Sequence, residues 1–212
     1  MKNIPVFTSP GGIASLVLEE IPYKKEAYIR IQNVSDFELL ITDCVSFCKA
    51  VGAENVYATG IPPLSGYQMH TEIWMLSANC LQLPMSNAML VPVSEDTLAE
   101  WVQIYNNKMA TVHNAATMNR DKSRRLLETK DAYFVQKDGL TVGICKGKND
   151  RIDVIASTHK GCGTDVVLAM CNKLSEPAVY VEVATSNLKA LKLYDQLGFF
   201  KERCISVWYK VL

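Results

Sequence analysis

The sequence predicts an α/β chain in which short strands alternate with amphipathic helices, and three stretches carry this prediction. Residues 152–156 are an apolar, β-prone run that leads through a glycine-containing turn into an amphipathic helix. Residues 132–145 contain two apolar runs joined by an Asp-Gly dipeptide, which favours a two-residue hairpin turn. Residues 179–211 have the pattern strand, helix, strand, with Gly198 where a left-handed residue would end the helix.

Composition and charge are those of an ordinary globular chain. The chain has 212 residues, 49% hydrophobic and 21% charged, with equal numbers of acidic and basic residues. A net charge of zero argues against general nucleic-acid binding, which usually needs a basic excess. No apolar run approaches the length of about 20 residues that spans a membrane. Because residues 1–5 also lack the apolar part of a signal peptide, we expect a cytoplasmic protein.

The seven cysteines are scattered without a Cys-x-x-Cys pair, and the three histidines lack zinc-ligand spacing. Cys44 and Cys48 lie four residues apart on a predicted helix and are most simply small buried residues. An odd number of cysteines fits a reducing compartment. We therefore expect no metal site.

The first 80 residues have their own alternation of strands around one long helix. Ser35 or Asp36 can cap that helix, because either side chain can accept from amides of the first turn. Residues 81–88 are the predicted linker to the rest of the chain. Strands are predicted around the helix at residues 13–19, 26–32, 55–59 and 71–76.

Two helices are predicted after a strand at residues 90–93. Leu98, Trp101 and Tyr105 fall on one face of the first helix. The second helix, at residues 121–128, has a basic face that is most simply solvated, with steering of an acidic group as the alternative. That face is formed by Arg120, Lys122, Arg124 and Arg125.

The glycine-containing turn follows the strand at residues 152–156. Glycine lets a ligand approach the backbone closely, and a helix N-terminus carries about half a positive charge, so this arrangement is typical of phosphate binding. Asp165 stabilises the helix start by about 0.3–1 kcal/mol but would repel a bound phosphate. Lys160 is expected to offset that charge, as is Lys148 if the preceding hairpin brings it near.

The C-terminal stretch carries the most specific motif. This stretch contains the string Asn187-x-x-Ala190-x-x-Leu193-Tyr194-x-x-Leu197-Gly198-Phe199. The string closely resembles the C-terminal motif of the GNAT superfamily of acyl-CoA-dependent N-acetyltransferases. Gly161 and Gly163 match the two glycines of the turn that holds the CoA pyrophosphate in that family. Thr158 departs from the pattern, because the family has Arg or Gln at this place.

The resemblance implies the GNAT acyl-CoA N-acyltransferase fold, a mixed, mostly antiparallel sheet flanked by helices. The order of predicted elements in residues 89–212 matches this fold, so we predict a GNAT acetyltransferase domain there. Residues 1–80 resemble half of such a domain without the Gly-x-Gly turn. They are predicted to be a degenerate GNAT-like half-domain in a tandem arrangement, with an unrelated extension as the alternative.

The resemblance also implies acetyl-CoA as co-substrate. Its pyrophosphate is expected at the turn, and its pantetheine arm along the preceding strand, as an added strand would bind. Asn187 is expected to contact CoA, although capping its own helix would also explain it. The implied coenzyme residues are Val154, Ile155, Ala156, Lys160, Gly161, Cys162, Gly163, Thr164 and Asn187.

Two residues are candidates for catalysis. Tyr194 matches the tyrosine that serves many GNAT enzymes as general acid toward the CoA sulfur, and membership of a buried helical stripe is its alternative role. Asp153 lies on the strand where such enzymes often place a carboxylate and is the candidate general base. Asp150 and Glu182 compete for that role, and an ordinary solvated carboxylate is the simpler interpretation of each of the three.

The predicted function is acetyl transfer from acetyl-CoA to a primary amine of a small molecule, amino acid or peptide. A catalytically impaired GNAT-fold module that binds CoA or regulates is the alternative, which Thr158 and Asp165 favour. A nucleotide-binding α/β domain would leave the string at residues 187–199 unexplained. The resemblance is compatible with a homodimer formed through the C-terminal strands.

Overall fold

The computed structural model describes residues 5–60, 64, 66–174 and 176–212 and divides the chain into two compact units. The first unit combines the described part of residues 1–73 with Cys204–Leu212, and the second is Trp74–Arg203. The predicted division into a half-domain at residues 1–80 and a GNAT domain at residues 89–212 stays a prediction.

The first unit is built around a parallel strand pair with a helical crossover. Its elements are β1 (Val6–Ser9), β2 (Gly12–Val17), α1 (Ile21–Lys24), β3 (Glu26–Val34), α2 (Phe37–Ala50) and β4 (Asn55–Thr59), and the end of β11 (Phe200–Lys210) joins them. The strand order is β1-β2-β3-β4-β11. β2 and β3 are antiparallel, whereas β3 and β4 are parallel and in register from Glu26↔Asn55 to Arg30↔Thr59.

The N-terminus of α2 is closed by the protein itself. Asp36 Oδ1 accepts from the Leu39 amide at 3.1 Å, which confirms one of the two predicted caps. The Gly11 carbonyl accepts from the amides of Ser35 and Asp36 at 2.8 and 2.9 Å. A Cβ at residue 11 would lie 2.4 Å from the Leu40 nitrogen, so this contact requires glycine. Asp36 thus caps the first turn of α2, and the backbone of Gly11 packs directly against the start of this helix.

The second unit contains a larger sheet. Its elements are the end of β5 (Gln68–Asn79), β6 (Met89–Pro92), α3 (Leu98–Met109), α4 (Arg120–Thr129), β7 (Ala132–Lys137), β8 (Leu140–Lys148), β9 (Arg151–Ser157), α5 (Gly163–Leu174), β10 (Ala178–Ala184), α6 (Leu188–Gln196) and the start of β11. The strand order is β5-β10-β9-β8-β7-β6. β6 to β9 are antiparallel neighbours, and α5 is the crossover between the parallel strands β9 and β10.

Helices cover both faces of this sheet. The face that packs against α5, called the α5 face, includes Val135, Cys145 and Ile152. The opposite face, called the α3–α4 face, includes Phe134, Ile144 and Val154. Trp101 is fully buried on the α3–α4 face, and its Nε1 donates to the Tyr133 carbonyl at 3.1 Å. The predicted fold class, a mixed sheet flanked by helices, is confirmed.

Most predicted elements are present, with small differences at their ends. Asp138 and Gly139 both have left-handed φ values, 51° and 77°, as the predicted two-residue hairpin turn requires. β8 continues through Lys148 because its end pairs with β9, so only residues 149 and 150 form the turn between these two strands. β1 and α1 were not predicted, because four residues each give too short a periodic pattern.

Burial accounts for two of the cysteines. Cys44 and Cys48 are fully buried on α2, as predicted. Among the described residues, no group of three His, Cys, Asp or Glu side chains could hold a metal ion. The longest helix in the described part of the chain has 14 residues, and none of these helices combines the length and apolar character needed to span a bilayer.

Candidate functional site

The parallel strands of the second unit pair only where they begin. β9 and β10 are in register at Arg151↔Tyr180 and Ile152↔Val181. Beyond Ile152, the described residues of β10 provide no partner for residues 153–157, although β8 pairs along their other edge. We call this opening, between residues 153–157 and 182–184, the β9–β10 fork. An exposed strand edge of this kind can bind an extended ligand through backbone hydrogen bonds.

A β-bulge marks the point where the fork begins. Lys146 is opposite Val154 and Gly147 is opposite Ile152, so Asp153 is an extra residue in β9. Val154 and Ala156 are 9% and 7% exposed and belong to the core on the α3–α4 face. The predicted coenzyme residues of β9 therefore offer their backbone rather than their side chains.

The two glycines of the turn are needed for different reasons. Gly161 has φ +89°, which favours glycine, and a Cβ there would meet nothing within 4 Å. Gly163 is the first residue of α5, and a Cβ there would lie 3.0 Å from Leu193 Cδ2 on α6. Gly161 thus allows the left-handed backbone conformation of the turn and leaves the space beside it open. Gly163 allows α6 to pack closely against the start of α5.

The N-terminus of α5 offers amides for an anion. Val166 is the first amide of this helix to find a carbonyl, that of Cys162 at 3.2 Å. The amides of Gly163, Thr164 and Asp165 have no acceptor among the residues that the structure describes. Because the turn is open at Gly161, these amides and the helix dipole fit a diphosphate group.

Lys137 compensates the charge of Asp165 beside these amides. Its Nζ lies 2.8 Å from Asp165 Oδ1, and the hydrogen bond and charge of Asp165 raise the pKa of Lys137. Lys160, which was expected to offset this carboxylate, is exposed in the turn. Lys137 was missed by sequence reasoning, although the antiparallel order of β7, β8 and β9 would have brought its hairpin end to the turn.

The expectation that Lys148 lies near the turn is wrong. Lys148 pairs across with Arg151 at the start of β9, whereas the turn follows the end of that strand. The antiparallel hairpin therefore carries Lys148 away from the turn. Thr158 does not replace the missing Arg or Gln, because its Oγ1 donates to the Thr141 carbonyl at 2.7 Å. His159 is exposed.

Comparison with known proteins identifies this architecture. A scan of protein-family models and a search of curated proteins each returned no match. A GCN5-related N-acetyltransferase from Sphaerobacter thermophilus matches in structure with a TM-score of 0.58 at 13% identity, covering 94% of this chain and 76% of that chain. The chain has the GNAT fold.

Two further structures match over most of the chain. A tandem GNAT protein from the clavulanic acid biosynthesis pathway matches with a TM-score of 0.52 at 16% identity, covering 97% of this chain and 81% of that chain. A functionally unknown conserved protein from Staphylococcus epidermidis matches with a TM-score of 0.58 at 12% identity, covering 99% and 94%. Identities of this size support the fold and leave the substrate open.

Asn187 occupies the predicted position at the start of α6. Its side chain accepts from the Ala190 amide at 3.2 Å, so the capping role is present. Gly198, with φ +80°, follows the helix as the left-handed residue that its position predicts. The proposed contact of Asn187 with CoA is compatible with the cap, because the amide nitrogen of the side chain is not used by it.

Tyr194 is buried on the α5 face. It is 5% exposed, and its ring centroid lies 5.1 Å from that of Phe199. Burial raises the pKa of Tyr194, and the nearby Cys171 adds to this. The residue that resembles the GNAT proton donor is therefore part of the core, and it keeps its proton at neutral pH.

The candidate bases differ in their surroundings. The Asp153 carboxylate, 44% exposed, is paired with Lys146 Nζ, which also lies 3.2 Å from Asp131 Oδ2. Burial acts to lower the pKa of Lys146, but Asp153 and Asp131 outweigh it and raise this pKa above its usual value. Glu182 is paired with Arg151 across the paired ends of β9 and β10. Of the three candidates, Asp153 is the one on the bulge.

Most of the basic face of α4 is exposed to solvent. Lys122 is half-buried and donates to the Thr117 carbonyl at 3.1 Å, while the arginines of α4 are exposed. Trp208 is 4% exposed in the first unit, and Trp101 is fully buried in the second. Steering of an acidic group by α4 stays a prediction.

Proposed function

We propose that this protein is an acetyl-CoA-dependent N-acetyltransferase that acts on a primary amine of a small molecule, amino acid or peptide. One observation carries the proposal: the β9–β10 fork leads directly into an open glycine turn and the first amides of α5, which have no acceptor among the described residues. An extended pantetheine arm suits the first feature, and a diphosphate suits the second.

Most of the binding to the coenzyme would come from the backbone. The edge of β9 would hydrogen bond to the pantetheine arm, and the turn would bind the diphosphate. Lys160 and Asn187 would add side-chain contacts. The residues assigned to the coenzyme are Val154, Ile155, Ala156, Lys160, Gly161, Cys162, Gly163, Thr164 and Asn187.

Two side chains would move protons. Acetyl-CoA supplies an acetyl group activated as a thioester. Asp153 would accept one proton from the ammonium group of the acceptor, so that the neutral nitrogen can form the new C–N bond. Tyr194 would donate its proton to the sulfur as the C–S bond breaks. The second proton of the acceptor nitrogen would restore the phenol, and Asp153 would release its proton to solvent.

Two measurements in sequence test this proposal. Calorimetric titration should give saturable binding of acetyl-CoA, and a thiol-release assay over a panel of primary amines should then identify an acceptor. Absence of acetyl-CoA binding would contradict the whole proposal. Binding without turnover on any amine would instead support the module described next.

A catalytically impaired GNAT-fold module that binds CoA or regulates is the second candidate. Two observations favour it: the core position of Tyr194 and the existing ion pair of Asp153 with Lys146. Both side chains are engaged in the protein itself, so catalysis would require each to reach the reacting atoms in the complex.

We also propose that residues 1–80 are a degenerate GNAT-like half-domain. The order β2-β3-α2-β4 repeats β8-β9-α5-β10, with one antiparallel and one parallel pair in each. The parallel pair of the first unit is in register over five positions, and Gly11 packs against the start of its helix, which Asp36 caps. We therefore expect a stoichiometry of one acetyl-CoA per chain, and two per chain would argue against a degenerate first unit.

A further inference from the structure

A chain of polar contacts connects the end of α4 to the bulge in β9. Thr129 Oγ1 donates to Asp131 Oδ1 at 2.6 Å, and Lys146 Nζ lies 3.2 Å from Asp131 Oδ2. The same Nζ donates to Asp153 Oδ2. One ammonium group on β8 is thereby held between a carboxylate at the start of β7 and a carboxylate in β9.

The two carboxylates that contact Lys146 differ in burial. Asp131 is 6% exposed, and a buried carboxylate is costly unless it is paired and hydrogen-bonded. Lys146 and Thr129 meet that requirement, so Lys146 is anchored at its buried end. The Asp153 carboxylate at the other end is 44% exposed and can reach a ligand. The buried Asp131–Lys146 pair therefore fixes the position of the ammonium group that binds the exposed Asp153 carboxylate.

The contact network ends at Asp153, which lies where the β9–β10 fork begins. Asp153 is the extra residue of the bulge and the first residue of β9 beyond its pairing with β10. Lys146 and Asp153 are thus joined at the mouth of the β9–β10 fork. A bulge turns a side chain away from the regular alternation of a strand, so a neighbour is needed to define where that side chain points.

We propose that Lys146, anchored by Asp131, is a positioning residue that holds the Asp153 carboxylate toward the acceptor amine. This inference rests on the proposed function. Lys146 acts through Asp153 and does not itself touch the reacting atoms. Its loss should therefore lower kcat for the acceptor while leaving the binding of acetyl-CoA unchanged, because the turn and α5 lie at the other end of β9.

The experiment compares Lys146→Met, Lys146→Arg and Asp153→Asn with Lys148→Met as the matched control. Lys148 is on the same strand, two residues further on, exposed and outside the contact network. We expect Lys146→Met to lower kcat by about tenfold or more, with the Kd of acetyl-CoA within about twofold of the wild-type value. Lys146→Arg should retain most of kcat, because it keeps the positive charge. Lys148→Met should have the kcat of the wild type.

The double variant provides the decisive comparison. If Lys146 acts through Asp153, Lys146→Met adds nothing to the loss caused by Asp153→Asn. Multiplying losses, or an unchanged kcat in Lys146→Met, would overturn the positioning role while the proposed function stands. Where Lys146→Met does not fold, Asp131→Asn, which keeps the shape of the anchor, should show the same selective loss of kcat. A wild-type protein that fails to bind acetyl-CoA would overturn the proposed function and this inference together.

Discussion

The Lys137 ammonium group lies 2.8 Å from the Asp165 carboxylate, next to the amides that begin α5. A carboxylate in the first turn of this helix would by itself repel a diphosphate. Lys137 reaches it from the end of β7, so the helix start carries a compensated charge. Asp165 is the feature of the sequence that argued most strongly against CoA binding, and its charge is therefore compensated in the structure.

The first prediction concerns this ion pair. Lys137→Met should weaken acetyl-CoA binding by about three- to tenfold, because the Asp165 charge is then uncompensated. Adding Asp165→Asn should restore the affinity, and a higher salt concentration should reduce the difference between variants. Calorimetric titration measures each Kd, with Lys148→Met at the far end of β8 as control. An Asp165→Asn variant that does not rescue Lys137→Met would show that the pair has no bearing on the ligand.

The second prediction separates conformation from binding at the turn. Gly161 and Gly139 have φ values of +89° and +77°, and a Cβ at either would meet nothing within 4 Å. Alanine at each position should therefore destabilise the protein by a similar amount, about 1 kcal/mol. Only Gly161→Ala should also weaken acetyl-CoA binding. Thermal unfolding and calorimetry together check this, and equal loss of affinity in both variants would mean that the turn is not the diphosphate site.

The third prediction concerns Tyr194. Tyr194→Phe keeps the ring contact with Phe199, so the free energy of unfolding should change little. If the phenol donates a proton to the leaving sulfur, kcat should fall by about 10²-fold or more while acetyl-CoA binding persists. Steady-state kinetics with the identified amine measure this. An unchanged rate would assign Tyr194 to the core alone.

The fourth prediction follows from the buried thiols. Burial raises the pKa of Cys44 from 9.0 to about 12 and that of Cys145 to about 12. Well below pH 9 both thiols are protonated in the folded and unfolded states, so they do not make stability depend on pH there. Between pH 9 and 12 the unfolded chain loses these protons more readily, so the free energy of unfolding should fall as pH rises.

Each thiol should add a slope of about 1.4 kcal/mol per pH unit. Cys44→Ala should remove one such contribution in urea unfolding measured across this range. Cys204→Ser, which replaces an exposed thiol, should leave the slope unchanged. The same slope in Cys44→Ala and wild type would contradict the assignment.

Sequence periodicity and turn chemistry predicted the elements of the second unit well. The Asp138-Gly139 turn, the stripe that contains Trp101, and the helix between Asn187 and Gly198 each depend on local signals. These signals act through backbone conformation and spacing within a few residues. The fold class followed once a specific string near the C-terminus resembled a known motif.

Contacts between strands were harder to predict. The partner of Asp165 is Lys137, 28 residues away, and its proximity depends on the register of two hairpins. The Lys146–Asp153 pair also depends on a bulge, which shifts one strand by a residue and leaves no clear mark in the sequence. Single-residue assignments of site chemistry therefore need the register, which side-chain spacing alone does not provide.

The central claim is that the turn at Gly161 and Gly163 binds the diphosphate of acetyl-CoA. Calorimetric titration of the wild-type protein with acetyl-CoA and with S-acetylpantetheine, which lacks the diphosphate and the nucleoside attached to it, tests it most directly. The account predicts one acetyl-CoA bound per chain, with S-acetylpantetheine weaker by about 100-fold or more, because the amides of α5 lose their ligand. Equal affinities, or no binding of acetyl-CoA, would contradict it.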